Sequence, residues 1–272
     1  MSKKKNNRLG TQPLHRLIPN MITIMALCAG LTSIRFTLQG RWEAAVAAIF
    51  VAAILDGLDG RIARLLKATS RFGAELDSLS DFVSFGVAPA VLIYQASLFQ
   101  LQAIGWAIVL IYTICCALRL ARFNINSQLG HQANSYDPRF FTGLPSPAAA
   151  VLGLIPIIIN FEIKKEFIVF PWGWGIWLMV IAILMISRFP TLSLKNFRIK
   201  QELISTYLLI GGMVTALVAT FPWVVIITFA LIYLAFLPVG YNTYRRGPKA
   251  KESPVIKRDI PENHPSPEGE QK

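Results

Sequence analysis

The chain has 272 residues, of which 54% are hydrophobic and only 15% are charged. This composition excludes an ordinary soluble domain, in which about a quarter of the residues are charged. The net charge is +12, and the basic residues are spread along the chain. That spread argues against nucleic-acid binding and favours a role in membrane topology and in attraction to anionic membrane lipids.

Apolar segments of about 20 residues are long enough to cross the hydrocarbon core of a bilayer. The pattern predicts an all-α fold, a polytopic membrane helical bundle with about eight transmembrane helices. Residues 1–17 are predicted to be a basic cytoplasmic segment, 18–244 a membrane-embedded domain, and 245–272 a disordered cytoplasmic tail. The predicted spans are Ile18–Leu38, Trp42–Leu66, Asp81–Phe99, Ala103–Ala121, Pro147–Phe161, Trp172–Ile186, Ser205–Phe221 and Trp223–Tyr241.

The placement of Lys and Arg predicts the orientation of these spans. Of the 27 basic residues, the predicted outside loops hold only Arg41, Lys164 and Lys165, and Arg35 falls within the first span. This asymmetry favours an even number of spans with both termini on the cytoplasmic side. It also places the connection between the second and third spans there.

Four aspartates flank that connection: Asp56 and Asp59 before it, Asp77 and Asp81 after it. Residues three or four apart share a helix face, so a tight turn would let the two pairs face each other. Oxygen ligands in that arrangement suit divalent metal ions. Structural ion pairs and a proton or ion transport path are the alternatives. A transporter would be expected to place charges near mid-membrane, whereas these acids are predicted at one boundary.

Small residues accompany the four aspartates. Gly60 and Ala63 lie on roughly the same helix face as the first acidic pair, where they leave space beside the carboxylates, and Gly73 precedes the second pair. Arg64 is predicted to project into that space as a phosphate anchor. Ordinary helix packing would also explain the small residues. Metal-bound carboxylates, open space and a guanidinium together predict a diphosphate site.

The run Asp56-x2-Asp59-Gly60-x2-Ala63-Arg64-x8-Gly73-x3-Asp77-x3-Asp81 resembles the signature of the CDP-alcohol phosphotransferase family at every fixed position. The resemblance implies an α-helical membrane enzyme with a six-helix core and a site at the cytoplasmic boundary. It also implies CDP-diacylglycerol as the donor and a homodimer.

Three further stretches resemble the phosphatidylserine synthase branch of this family, found in the bacterial cytoplasmic membrane. The branch implies L-serine as the acceptor. Glycerol 3-phosphate, inositol phosphate and choline are the alternative acceptors. The stretches are Pro19-Asn20 with Thr23, residues 117–124, and residues 141–147.

The resemblance also implies roles for the signature residues. Two divalent ions, Mg²⁺ or Mn²⁺, would be held by Asp56, Asp59, Asp77 and Asp81. Asp81 would also act as the general base toward the acceptor hydroxyl. The residues implied in binding the cytidine diphosphate are Asp56, Gly60, Ala63, Arg64, Gly73 and Asp77.

Serine is a zwitterion, so its site should offer a cation for the carboxylate and polar groups for the ammonium. Arg119 and Arg122 could share a helix face at the cytoplasmic end of the fourth span, followed by Asn124. Asn20 lies at the cytoplasmic start of the first span. These four residues are the predicted acceptor site. Membrane anchoring by positive charge is the alternative role for both arginines.

Overall fold

A computed structural model of the chain describes residues 17–129, 140–163, 170–187, 190–192 and 204–246. Within these ranges the chain is predominantly helical, with one pair of three-residue strands. The predicted N-terminal segment up to residue 16 and the predicted tail from residue 247 onward lie outside the described residues.

The helices follow one another with short connections. A π-helical segment, Phe82–Val87, joins the third helix to the fourth, and a 3₁₀ turn, Leu98–Leu101, precedes the fifth. The α-helices are α1 (Ile18–Leu38), α2 (Trp42–Leu65), α3 (Arg71–Asp81), α4 (Ala88–Ala96), α5 (Ala103–Leu129), α6 (Ser146–Gly153), α7 (Ile155–Ile163), α8 (Pro171–Ile186), α9 (Ile204–Thr220) and α10 (Pro222–Arg246).

A helix lies at each position where the hydrophobic pattern predicts a span, but the structure differs from the prediction in three places. The third predicted span begins ten residues earlier, at Arg71, because the Ser70 hydroxyl caps this helix by accepting from the Gly73 amide at 3.0 Å. The fifth is broken at Leu154 and bent by 41°, next to Pro156, which cannot donate a helical hydrogen bond. The connection between the fourth and fifth predicted spans is partly helical, because α5 continues to Leu129.

Three helical stretches of the described chain are long and apolar enough to cross a membrane, and the bent pair α6–α7 would be a fourth. They are Ile18–Leu38, Arg71–Ala96 and Ala103–Ile125. Helix α2 has 24 residues but carries five charged ones. These helices fit a membrane protein, and the eight-span arrangement stays a prediction.

Helix α1 packs against α2, α3 and the π-helical segment through a face made of small residues. Every third or fourth residue of α1 is buried, and the Cβ of an alanine at Gly30 would lie 2.9 Å from the Cα of Ser84. The Ser80 and Ser84 hydroxyls donate to backbone carbonyls of α1 at 3.2 and 3.3 Å. The buried residues of α1 are Pro19, Thr23, Ala26, Gly30, Ser33 and Thr37.

A side chain of α5 forms a hydrogen bond with a backbone carbonyl of the π-helical segment. Pro89 has no N–H to donate to the carbonyl of Phe85, four residues earlier. The buried Tyr112 hydroxyl of α5 donates to this carbonyl at 2.9 Å. The bond fixes α5 against the helix that carries two of the four aspartates.

The C-terminal helices contact the rest of the molecule mainly through α10. Helix α10 packs against α7, where the rings of Phe161 and Trp223 lie 5.0 Å apart, and against the second strand. The strands β1 (Phe140–Thr142) and β2 (Pro190–Leu192) pair antiparallel. The pattern of apolar spans did not predict this small sheet.

Candidate active site

The five residues Leu66–Ser70 form the turn that brings the two acidic pairs together. The turn closes α2 through hydrogen bonds from the Leu66 and Ala68 amides to carbonyls of the last helical turn, both 2.9 Å long. Lys67 adopts a positive φ of 50°, which lets the chain reverse between the helices. The end of α2 therefore faces α3 across a short connection, as the spacing of the aspartates predicts.

Three of the four aspartates form one cluster. A carboxylate oxygen from each of Asp56, Asp59 and Asp77 lies within 4.8 Å of the other two. Asp59 is buried, with 4% of its surface exposed, and the other two are half-buried. Bringing carboxylates this close is costly without a counter-charge, so the donor set fits a divalent cation bound by oxygen ligands.

Helix α1 contributes a hydroxyl to this cluster. The buried Thr23 side chain donates to the Asp59 carboxylate at 2.5 Å. It also lies 3.1 Å from the Pro19 carbonyl, so one hydroxyl bridges the α1 backbone and an aspartate of α2. This contact orients the buried carboxylate.

Asp81 adjoins the cluster from its other side. Its carboxyl group is a close neighbour of that of Asp56. The Ser146 hydroxyl, at the start of α6, donates to Asp81 at 3.2 Å and accepts from Arg119 Nη1 at 2.9 Å. Arg119 is also an electrostatic neighbour of Asp56. A hydrogen-bonded chain therefore runs from a cation of α5 through Ser146 to Asp81.

A cavity of about 390 Å³ opens beside the acidic cluster. An added Cβ at Gly60 would have no atom within 4 Å, whereas one at Gly73 would lie 2.9 Å from the Asn20 side chain. Gly60 therefore leaves space, and Gly73 permits close contact with α1. The side chains and glycines around the cavity include Asn20, Thr23, Asp59, Gly60, Ala63, Arg64, Ser70, Gly73, Asp77 and Phe123.

This arrangement has the groups needed to bind and activate a phosphate ester. A carboxylate cluster can hold metal ions, a neighbouring cavity with an arginine can hold an anionic group, and a further aspartate lies at the opposite side of the cluster.

The family model described as CDP-alcohol phosphatidyltransferase matches residues 16–187, which include every one of these groups. The chain belongs to the CDP-alcohol phosphatidyltransferase family. It is therefore an enzyme of phospholipid synthesis, as the signature predicts.

Relatives within the family cover most of the chain. A CDP-diacylglycerol–serine O-phosphatidyltransferase of Mycobacterium leprae is 39% identical over 85% of this chain and 76% of its own length. The enzyme of the same name from Bacillus subtilis is 42% identical over 53% of this chain and 75% of its own.

Among solved structures, a phosphatidylinositol phosphate synthase of Mycobacterium tuberculosis with CDP-DAG bound is similar with a TM-score of 0.45. It is 18% identical, and the match covers 66% of this chain and 92% of that one.

The residues predicted to bind the acceptor lie in different places. Asn20 lines the cavity with Gly60 and Arg64, whereas Arg119 lies beside Asp81. Arg122 donates to the Ile186 carbonyl at the end of α8, at 2.9 Å. Asn124 forms a hydrogen bond with Ser78 at 2.9 Å, one residue from Asp77. The structure thus places Arg119 by Asp81 and the other three elsewhere.

The sequence did not predict roles for two hydroxyl groups of the candidate site, those of Thr23 and Ser146. Both stand within stretches that resemble the phosphatidylserine synthase branch, which is the signal that could have marked them. Their contacts with Asp59 and Asp81 join residues 36 and 65 positions apart. Such contacts depend on how the helices pack.

Proposed function

We propose that the chain transfers the phosphatidyl group of CDP-diacylglycerol to L-serine and releases CMP. The observation that carries the proposal is the cluster of three carboxylates beside the cavity, with Asp81 and Arg119 on its other side. The serine acceptor is supported by the names of the relatives from M. leprae and B. subtilis.

The cavity supports the donor half of this proposal. Arg64 supplies a positive charge for a diphosphate, and Gly60 and Ala63 leave room beside it. Gly73 allows the chain to pass close to Asn20, so that the cavity wall is partly backbone. We propose that the cytidine diphosphate binds there, with Asp56 and Asp77 at its metal-facing end. The acyl chains would remain in lipid.

The chemistry of the donor set fits divalent metal ions. We propose that Asp56, Asp59 and Asp77 hold Mg²⁺ or Mn²⁺ and that Asp81 completes a second ion site. When bound, such ions neutralise the carboxylates, polarise the phosphoryl oxygens and stabilise the charge on the departing CMP. Thr23 keeps the Asp59 carboxylate oriented toward the cluster.

In the proposed reaction, Asp81 accepts the proton of the serine hydroxyl. The serine oxygen forms a bond to the phosphorus next to the diacylglycerol, and the bond from this phosphorus to the oxygen of CMP breaks. Ser146 and Arg119 hold Asp81 in place through their hydrogen bonds. A base in this position contributes a rate factor of about 10²–10⁴.

Arg119 supports a zwitterionic acceptor because its guanidinium lies beside the proposed base. A phosphorylated acceptor such as glycerol 3-phosphate or inositol phosphate would call for more cations than this one beside Asp81. Choline has no carboxylate to pair with Arg119. An ion transporter is disfavoured by a cavity that lies beside the carboxylates and contains the family's signature residues.

We also propose how the protein is arranged in the membrane. We place the active site and both termini on the cytoplasmic side of a bacterial inner membrane, within an eight-span bundle containing a six-helix core. Anionic lipids would attract the basic cytoplasmic segments. A homodimer remains part of the proposal because of the family resemblance.

An assay of the purified protein with CDP-diacylglycerol tests the function. CMP release should require Mg²⁺ or Mn²⁺, stop with a chelator, and occur with L-serine but not with glycerol 3-phosphate, inositol phosphate or choline. CMP release with one of the other alcohols would overturn the serine assignment. Failure to release CMP with any alcohol would overturn the proposed reaction.

A further inference from the structure

Near Arg119, which lies beside Asp81, two polar atoms are buried and have no hydrogen-bond partner within the described part of the chain. They are Nε of Arg119 and the hydroxyl of Tyr233. A buried donor without a partner is destabilising, so a pair of them at one place calls for an explanation. The two groups interact electrostatically, which places them near each other.

The position of Arg119 is set by a second nitrogen of its guanidinium, Nη1. Its Nη1 donates to Ser146, whose hydroxyl donates to Asp81. The free Nε–H therefore belongs to a guanidinium that is already held in place beside the proposed base. A ligand bound at Nε would lie near the hydroxyl that Asp81 is proposed to deprotonate.

Tyr233 reaches this place from a different part of the chain. It lies on α10, beyond the residues 16–187 that match the family model. The Trp223 ring anchors the start of α10 on Phe161 of α7. Ten residues further on, about 15 Å along the helix, the half-buried Tyr233 packs against the core.

We propose that the Tyr233 hydroxyl and Arg119 Nε–H together bind the carboxylate of the amino-acid acceptor. A carboxylate offers two oxygens and accepts only, and these two groups are both donors. One bound carboxylate would satisfy both, with a charge-assisted bond from the guanidinium. Helix α10 thus supplies a specificity-determining residue. This inference rests on the proposed function, because it assumes that serine is the acceptor.

Kinetics of Tyr233→Phe test this role. The substitution removes the hydroxyl and keeps the ring, so the KM for serine should rise roughly tenfold, given the usual strength of a hydrogen bond to a charged group. The kcat and the KM for CDP-diacylglycerol should stay unchanged.

Arg119→Lys, which keeps the charge but removes Nε–H, should raise the KM for serine by at least as much. Tyr94→Phe is the matched control, since its ring packs 5.2 Å from that of Trp106 in another part of the core.

A second acceptor separates carboxylate binding from a structural role. Ethanolamine has the hydroxyl and amine of serine without the carboxylate, so wild-type enzyme should prefer serine strongly. In Tyr233→Phe the preference should shrink, because turnover with serine falls while turnover with ethanolamine does not. An unchanged KM for serine, or equal losses with both acceptors, would overturn the inference. Failure of wild-type enzyme with serine would instead overturn the proposed function.

Thermal unfolding in detergent provides a measurement that does not depend on turnover. Serine should raise the unfolding temperature of the wild-type protein and of Tyr94→Phe, and should raise that of Tyr233→Phe less at the same concentration. Equal shifts in all three proteins would contradict a role for Tyr233 in binding.

Discussion

At the residue scale, the site combines aspartates with hydroxyl groups that orient two of them. The aspartates come from one short run of the chain, whereas Thr23 comes from α1 and Ser146 from α6. Each hydroxyl contacts a different aspartate, Asp59 in the acidic cluster and Asp81 beside it. The two aspartates are thus held by different helices, consistent with the different roles proposed for them.

The substitution Asp81→Asn tests the proposed base. An amide cannot accept the proton of the serine hydroxyl, so turnover should fall by about 10²–10⁴-fold. Nucleotide binding should persist, because the clustered carboxylates of Asp56, Asp59 and Asp77 remain. CMP release and binding of a CDP-diacylglycerol analogue are the measurements.

Glu75→Gln is the matched control for Asp81→Asn, since it neutralises an exposed acid of the same helix, α3. It should keep wild-type turnover. Normal turnover in Asp81→Asn would remove the assignment of the base.

At the element scale, the site depends on how closely α1 approaches the helix that carries Asp77 and Asp81. Small residues along the buried face of α1 allow serine hydroxyls of the neighbouring helix to reach its backbone carbonyls. Thr23 lies on the same face, so the position of α1 also sets the contact with Asp59. Helix packing and site geometry are therefore coupled here.

Gly30→Ala tests this coupling. The added Cβ would overlap the Ser84 hydroxyl oxygen and would lie 2.9 Å from the Ser84 Cα. The hydroxyl can rotate away but the backbone cannot, so we expect a loss of about 1–3 kcal/mol in the free energy of unfolding. Thermal unfolding in detergent measures it. Turnover should fall as well, because α1 must shift.

The control for Gly30→Ala is Gly212→Ala on α9, where an added Cβ meets nothing within 4 Å. In a helix that change is neutral or slightly stabilising. Equal unfolding temperatures for the two variants would show that α1 packing tolerates the extra methyl group.

At the scale of the whole molecule, the described helices suit a bilayer, and the site lies near the turn between α2 and α3. The basic residues predict that this turn is cytoplasmic. Arg41, at the opposite end of α2, is predicted to face outside. The two exposed residues Lys67 and Arg41 are therefore predicted to lie on opposite sides of the membrane.

Cysteine labelling tests this orientation. In a background in which the exposed Cys28 is changed to Ser, we expect Lys67→Cys to react with an impermeant maleimide in inside-out vesicles only. Arg41→Cys should react in intact spheroplasts and serves as the reciprocal control. The reverse pattern would place the active site outside.

The hydrophobic pattern was sufficient to locate a helix at every predicted span, because apolar length and proline positions act locally. It misplaced the start of the helix carrying Asp77 and Asp81, because the Ser70 cap extends this helix beyond its apolar part. It also gave no indication of the strand pair β1–β2. Those two strands are separated in the chain by several helices, so their pairing depends on the tertiary fold.

The sequence by itself determined the chemistry of the acidic cluster, because the identity and spacing of four aspartates within 26 residues restrict the ligands they can bind. Only the tertiary structure decided what surrounds them. Thr23, Ser146 and Tyr233 are single polar residues in apolar segments, with no periodicity that could mark a role. Their positions follow from how α1, α6 and α10 pack within the fold, which is set by side-chain volume and contact across the whole molecule.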